Sequence, residues 1–251
     1  MFRGSKKHVL DWTSRPTFPI EFMQLLRPLN LRLDADAYWM PRGYAFPHEA
    51  RLDTFGPRVF PNHPAWPQLA AWWLPPGMRG NTPNWDIALR GEIEGQAGLV
   101  LVEAKANEEE LSAEDSKSGS AGRSAQSVKN DEHIRNAIEQ AKTALQKTMP
   151  GISISCATHY QLSNRVAFAW KLATLGIPTV VLYLGFTGDE GIADAGRPFV
   201  DEADWLCVFN DKCRKVWSGT MTSPILTDKA PFWLIARSRQ AIESSPPSKA
   251  L

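Results

Sequence analysis

The chain has 251 residues, 43% of them apolar and 22% charged, with 28 Lys plus Arg against 27 Asp plus Glu. That composition supports a packed core, and it excludes both a disordered chain and a uniformly basic coat for nucleic acid; a local basic groove remains open. Three cysteines (Cys156, Cys207, Cys213) cannot all pair, and the longest apolar run, Ile177 to Phe186, falls well short of the roughly 20 residues of a membrane span. With no long apolar stretch in MFRGSKKHVLDW, a reducing, cytoplasmic setting without a secretory signal or membrane anchor is expected.

In chain order, the first 80 residues are rich in Pro and Trp. A short helix is predicted from Pro67 to Leu74, stopped by Pro75-Pro76-Gly77, with Trp66, Trp72 and Trp73 read as packing residues. Trp85 to Arg90 reads as a strand, and Gly98 to Ala106 (GLVLVEAKA) as a better one. The continuous apolar first half of the latter suits a strand covered on both faces. Residues 107–128, dominated by Ser, Ala, Gly and charge, are expected to form a mobile insertion. A helix is predicted over Asn130 to Met149, with Ile134, Ile138, Ala141 and Leu145 on one face. Another runs from about His159 to Leu175, followed by a buried strand, Pro178 to Phe186, and a further strand at Trp205 to Phe209. The whole reads as one α/β domain over residues 1–240, its core at about 45–190, with a flexible tail at 241–251.

The chemistry is concentrated at the end of the strand that begins at Gly98. Side chains alternate along a strand, so in Val102-Glu103-Ala104-Lys105 the carboxylate and the ammonium share a face. Neither is cheaply buried alone, so both require partners or a wet cleft. An antiparallel hairpin turning at Gly91–Gly95 brings Asp86 toward Glu103. Two nearby carboxylates are the hard oxygen donors that Mg²⁺ takes, and a lysine beside them stabilises charge developing on phosphate.

The pattern Pro83-Asn84-Trp85-Asp86, then 16 residues, then Glu103-Ala104-Lys105 resembles the PD-(D/E)XK nuclease superfamily, the restriction-endonuclease-like fold. Asn84-Trp85 separates the proline from the acid, so the first half of the motif is not literal Pro-Asp. The resemblance implies a mixed β-sheet flanked by helices with an αβββαβ core, and Mg²⁺-dependent hydrolysis of DNA phosphodiesters, with Mn²⁺ as substitute metal. It implies Asp86, Glu103 and Lys105 as catalytic residues. Asp86, Glu103, the Ala104 carbonyl and an acid of the first core helix would be metal ligands; Glu49 is the best match for that acid and Asp53 the second. It further implies DNA as partner and two copies paired as a homodimer to cut both strands. Glu110, inside the insertion, is a further ligand candidate or a solvated acid.

The segment His159-Tyr160-Gln161-Leu162-Ser163-Asn164-Arg165 resembles a helix that precedes the last core strand in a group of uncharacterised bacterial nuclease-like proteins. Gln161 and Arg165, four apart, share a face. They are read as substrate-binding residues, with Arg165 holding either phosphate or a carboxylate of the site. Gln140 is read as solvated. Asp115-Ser116-Lys117 repeats the acid-x-Lys spacing in a polar loop, where no strand aligns the side chains. The histidines show no metal-ligand spacing, no second cysteine pair accompanies Cys207 and Cys213, and no Gly-rich phosphate loop or G-x-S-x-G elbow occurs. Two alternatives to an enzyme stand: an inactive nuclease-like fold that binds DNA or protein, and a strand end closed by a Glu–Lys ion pair.

Overall fold

The computed structural model describes residues 2–74, 82–112, 125–217 and 223–241. It is a mixed α/β structure. Helices α1 (Gly4–Thr13) and α2 (Phe18–Leu25) come first, followed by strand β1 (Trp39–Met40). Next are β2 (Ala50–Arg51), α3 (Leu52–Val59), α4 (Ala65–Trp73), β3 (Asn84–Trp85) and the hairpin β4 (Ile87–Ile93) and β5 (Gln96–Lys105). The second half holds α5 (Glu108–Ser112), α6 (Ala125–Leu145), α7 (Tyr160–Thr174), β6 (Thr179–Thr187), α8 (Glu202–Cys213), β7 (Ile225–Leu226) and β8 (Pro231–Gln240).

Six strands form one sheet in the order β1-β4-β5-β6-β8-β7, and β2 pairs with β3 in a separate two-stranded ribbon. The β4–β5 hairpin is antiparallel and turns at Glu94-Gly95, both in the left-handed region that a two-residue hairpin turn demands. The pairs β5–β6 and β6–β8 are parallel, so the chain must cross over between them, and helices do so. Those central strands are apolar on both faces because both are covered. One face carries Leu99, Leu101, Val181, Tyr183 and Leu234 against the Ile134–Ile138–Ala141–Leu145 stripe of α6 and the buried residues of α7. The other carries Val100, Val102, Val180, Leu182 and Ile235 against Val9 and Trp12 of α1 and Phe18 and Phe22 of α2. Trp73 is buried on α4 and meets Phe168 of α7 edge-on, as a packing residue does.

Several expectations are corrected. Trp205 to Phe209 is helix, not strand: Asp201 caps α8 by accepting the Asp204 N–H at 2.9 Å, and Trp205, Phe209 and Cys213 recur every four residues on the buried face. Trp205 packs so closely on β6 that a Cβ at Gly185 would overlap its indole. Glu49 is not on a helix; it lies in extended chain just before β2. Of the expected mobile insertion, Asn107 to Ser112 and the segment from Ala125 are built into the fold, and 113–124, with Asp115 and Lys117, lie outside the described residues. Arg197 fastens that first part by bonding both Glu108 and Asp204. Gln140 is exposed, as expected, and in addition accepts the Trp72 indole N–H at 2.7 Å, joining α6 to α4. The expected tail, apart from Ala241, lies outside the described residues. No helix among the described residues is long and apolar enough to cross a membrane.

Candidate active site

The hairpin register sets the site. Ile87 pairs with Val102, so Asp86 sits one step beyond the paired ladder, opposite the end of β5. Its N–H donates to the Val102 carbonyl at 3.0 Å, and its own Oδ2 accepts the Ala104 N–H at 2.8 Å. The side chain thus replaces a missing strand partner and is fixed beside the motif. Glu103 and Lys105 emerge on one face of β5, as alternation requires, and are 4% and 6% exposed. Lys105 Nζ donates to Glu103 Oε1 at 2.6 Å.

Helix α7 supplies the second cation. Arg165, 6% exposed, donates through Nε and Nη2 to Glu103 Oε2 at 2.9 and 2.7 Å, a two-pronged contact on one oxygen. The same Nη2 donates to the Asn84 carbonyl at 2.8 Å, and the guanidinium lies 4.4 Å from the centre of the Trp85 ring. Arg165 is therefore the carboxylate partner of the two roles expected for it. It ties α7, β3 and β5 together at one point.

Two further elements close the recess. Glu49 is held by Lys6 of α1, whose Nζ is 3.2 Å from Oε1, and by Asn84 Nδ2, 3.1 Å from Oε2. Glu110 of α5 accepts the Ala106 N–H at 2.8 Å and the Ser5 N–H at 3.2 Å, so it ties the first turn of α1 to the end of β5. Gly4 precedes that turn with φ +57, and a Cβ there would overlap the Glu110 carboxylate. The resulting cavity of about 550 Å³ is lined by Glu49, Asp86, Glu103, Ala104, Lys105, Gln161 and Arg165, together with Ser5, Asn84, Glu110 and Asn164. Among them are Asp86, Glu103, Ala104, Lys105, Glu49, Gln161 and Arg165, the leading site residues of the sequence reading. Asp53 is not among them; it pairs with Arg51. Ser5, Lys6 and Asn84 were not anticipated. Asn84 stood legibly two residues before Asp86, whereas nothing in the local sequence around Ser5 and Lys6 announces that α1 returns to the end of β5.

The electrostatics separate the two central acids. Burial pushes the Asp86 carboxyl up to about 7, and the negative charge of Glu103 adds to this; Lys105 and the Ala104 N–H offset only part. Burial also pushes Glu103 upward, but Arg165 and Lys105 outweigh it and hold that carboxyl below the usual range. Lys105 and Arg165 are in turn kept charged: desolvation lowers each, and the surrounding anions, Glu103 foremost with Asp86 behind it, more than restore it. Above pH 7 the recess therefore holds an ionised Asp86, disfavoured chiefly by its burial and further by Glu103.

Among the described residues no three His, Cys, Asp or Glu side chains converge as a ready metal-ligand group. Glu49 is turned to Lys6 and Asn84, and Glu103 to its two cations. The carboxylate oxygens of Asp86 and Glu103 are nonetheless the hard donors that a small divalent cation takes, although Glu103 is paired with two cations here. No protein-family model, curated protein or solved structure shows a significant match to this chain.

Proposed function

We propose that this chain is a Mg²⁺-dependent nuclease of the restriction-endonuclease-like kind, hydrolysing DNA phosphodiester bonds. The observation that carries the reading is the gathering of Asp86, Glu103 and Lys105 in one recess at the end of a central strand, where burial first and Glu103 second push the Asp86 carboxyl up to about 7. Asp86 and Glu103, with Glu49 and the Ala104 carbonyl, would hold the cation. When bound, the cation neutralises phosphate charge and makes water a better nucleophile.

The chain's own residues do the rest. Lys105, kept protonated and tethered by Glu103, presents a fixed positive charge at the recess, where it can orient water and stabilise an attacked phosphate. Arg165 positions Glu103 and is too deeply committed to serve as a phosphate clamp. Gln161, half-buried on α7, lines the cavity as a neutral donor for a phosphate or base.

Purified protein incubated with plasmid and linear DNA in Mg²⁺ or Mn²⁺ tests the reading. Cleavage abolished by Lys105→Ala supports it, and cleavage untouched by that change removes Lys105 from the site. Nicking alone means one cut per chain, whereas linearisation supports paired copies.

A second reading has its own observation. Both oxygens of Glu103 are occupied by Lys105 and Arg165 in a closed, buried ion cluster, the arrangement of a structural network. On that reading the fold binds DNA or a protein without metal and without cleavage. Calorimetric titration with Mn²⁺, with Asp86→Ala as control, separates the two.

A further inference from the structure

A second cavity, of about 660 Å³, lies on the other side of the first turn of α1. The two recesses are contiguous in the chain, since Gly4 lines the second and Ser5 the first. The second is built differently. Phe2 and Tyr44, 44% and 50% exposed, present their rings to it with centroids 6.4 Å apart. The Tyr44 hydroxyl donates to Asp11 at 2.7 Å, so that ring is held in place. On the inner wall His8, on the buried side of α1, has Nε2 2.6 Å from Asp189 Oδ2.

The charges show what this cavity would take. Its two cations are already matched, Arg3 by Asp194 and Lys7 by Asp11. Asp189, engaged by His8 and the Gly191 N–H, and Glu190 are the further acids of its lining, so it offers a phosphate no unmatched cation among the described residues. A nucleobase suits it, because its flat face stacks on exposed aromatic rings and its amino groups donate to carboxylates. In a duplex those flat faces are already stacked on neighbouring pairs, so an unpaired strand is what offers them.

We propose that this cavity is a base-binding subsite for an unpaired DNA strand whose backbone crosses the first turn of α1 into the Asp86 recess. The proposal rests on the nuclease reading for the placement of the backbone, and it adds that the substrate is single-stranded DNA rather than continuous duplex. The burial of Glu103 and Lys105 agrees with this, since a single strand brings its phosphates to buried side chains more readily than a rigid double helix.

Fluorescence anisotropy with a labelled single strand and with the same sequence as a duplex, in Ca²⁺ and in EDTA, tests the proposal without requiring cleavage. The single strand should bind at least about ten-fold more tightly. Phe2→Ala and Tyr44→Ala should each weaken its binding about five-fold or more and leave the duplex unaffected. Phe2 is exposed and without a structural bond of its own among the described residues, so its variant reads stacking even if the Tyr44 variant folds poorly. Equal or tighter binding of the duplex, or ring variants indistinguishable from wild type, overturns the subsite, and cleavage of duplex in Mn²⁺ would then leave the nuclease reading standing. Ring-dependent capture of the single strand with no cleavage in any metal upholds the subsite and removes the catalytic reading. Absence of binding to either DNA overturns both.

Discussion

Asp86 accepts the backbone N–H of Ala104 at 2.8 Å, a side chain completing a strand ladder where the main chain has run out. Because Ala104 lies between Glu103 and Lys105, this one bond couples the position of the first acid to the acid and the lysine of the motif. It also divides the role of Asp86 into a hydrogen-bonding part and a charge part, which substitution can separate. Asp86→Asn keeps an acceptor for Ala104, whereas Asp86→Ala leaves a partly buried N–H without one. At pH 5, urea unfolding should show the alanine variant less stable than the asparagine variant by about 1–3 kcal/mol. Both should lose Mn²⁺ binding in calorimetry.

The raised carboxyl of Asp86 has a definite signature in pH. Its folded value of about 7 lies above that of the unfolded chain, so between the ordinary carboxylate range and neutrality the folded state holds a proton that the unfolded state has released. That contribution to stability is complete at low pH and is lost as pH rises through about 7. Relative to Asp86→Asn, wild type should lose on the order of 2–3 kcal/mol between pH 5 and pH 8, measured by denaturant unfolding across the range. Affinity for Mn²⁺ should move the opposite way, strengthening as pH rises through 7 and the carboxyl ionises.

Arg165 and Glu103 form a buried pair whose partners cannot be removed singly at small cost. Arg165→Ala leaves Glu103 to Lys105 alone and deprives the Asn84 carbonyl of its donor. A loss of about 3–5 kcal/mol is expected in urea unfolding, with Arg165→Lys intermediate because an ammonium cannot reproduce the two-pronged contact. Arg214→Ala, which removes an exposed pair with Asp211, should change stability by less than about 1 kcal/mol in the same experiment.

Gly4 is required by both conformation and space. Its φ of +57 is left-handed, and a Cβ would overlap the Glu110 carboxylate. Gly4→Ala should cost about 1–2 kcal/mol from the backbone alone. It should also displace α1 from Glu110, which hydrogen exchange at the Ser5 and Ala106 amides would detect as faster exchange. Glu110→Ala should reproduce the faster exchange without the backbone penalty.

The parts of the site that lie close in sequence were legible, and so was the architecture they need. The alternation that puts Glu103 and Lys105 on one face is a local property of an extended chain. The hairpin that brings Asp86 to them follows from two apolar runs separated by a glycine-containing turn. The four-residue spacing of Gln161 and Arg165 is equally local. What escaped depends on distant packing. Nothing near Lys6 shows that α1 crosses the opposite sheet face and returns its first turn to the end of β5. Glu49 is expected on a helix only through the family resemblance; the helix begins at Leu52, three residues later, and leaves Glu49 outside it. Trp205 to Phe209 read as a strand because its apolar run is short; the capping Asp201 and the four-residue recurrence through Cys213 were the stronger signal. Strand β8, with its arginines at the far end, has no sharp boundary in the sequence to set it apart from the tail.

The side chains of the recess come from Ser5 at one extreme and Arg165 at the other, with a strand hairpin and a crossover in between. A growing polypeptide on the ribosome therefore cannot assemble it piecemeal. Until translation has passed α7, Glu103 has no guanidinium to anchor it and the recess has no roof. Whatever chemistry this hollow performs is withheld from the nascent chain and becomes available only once α7, through Thr174, has been made.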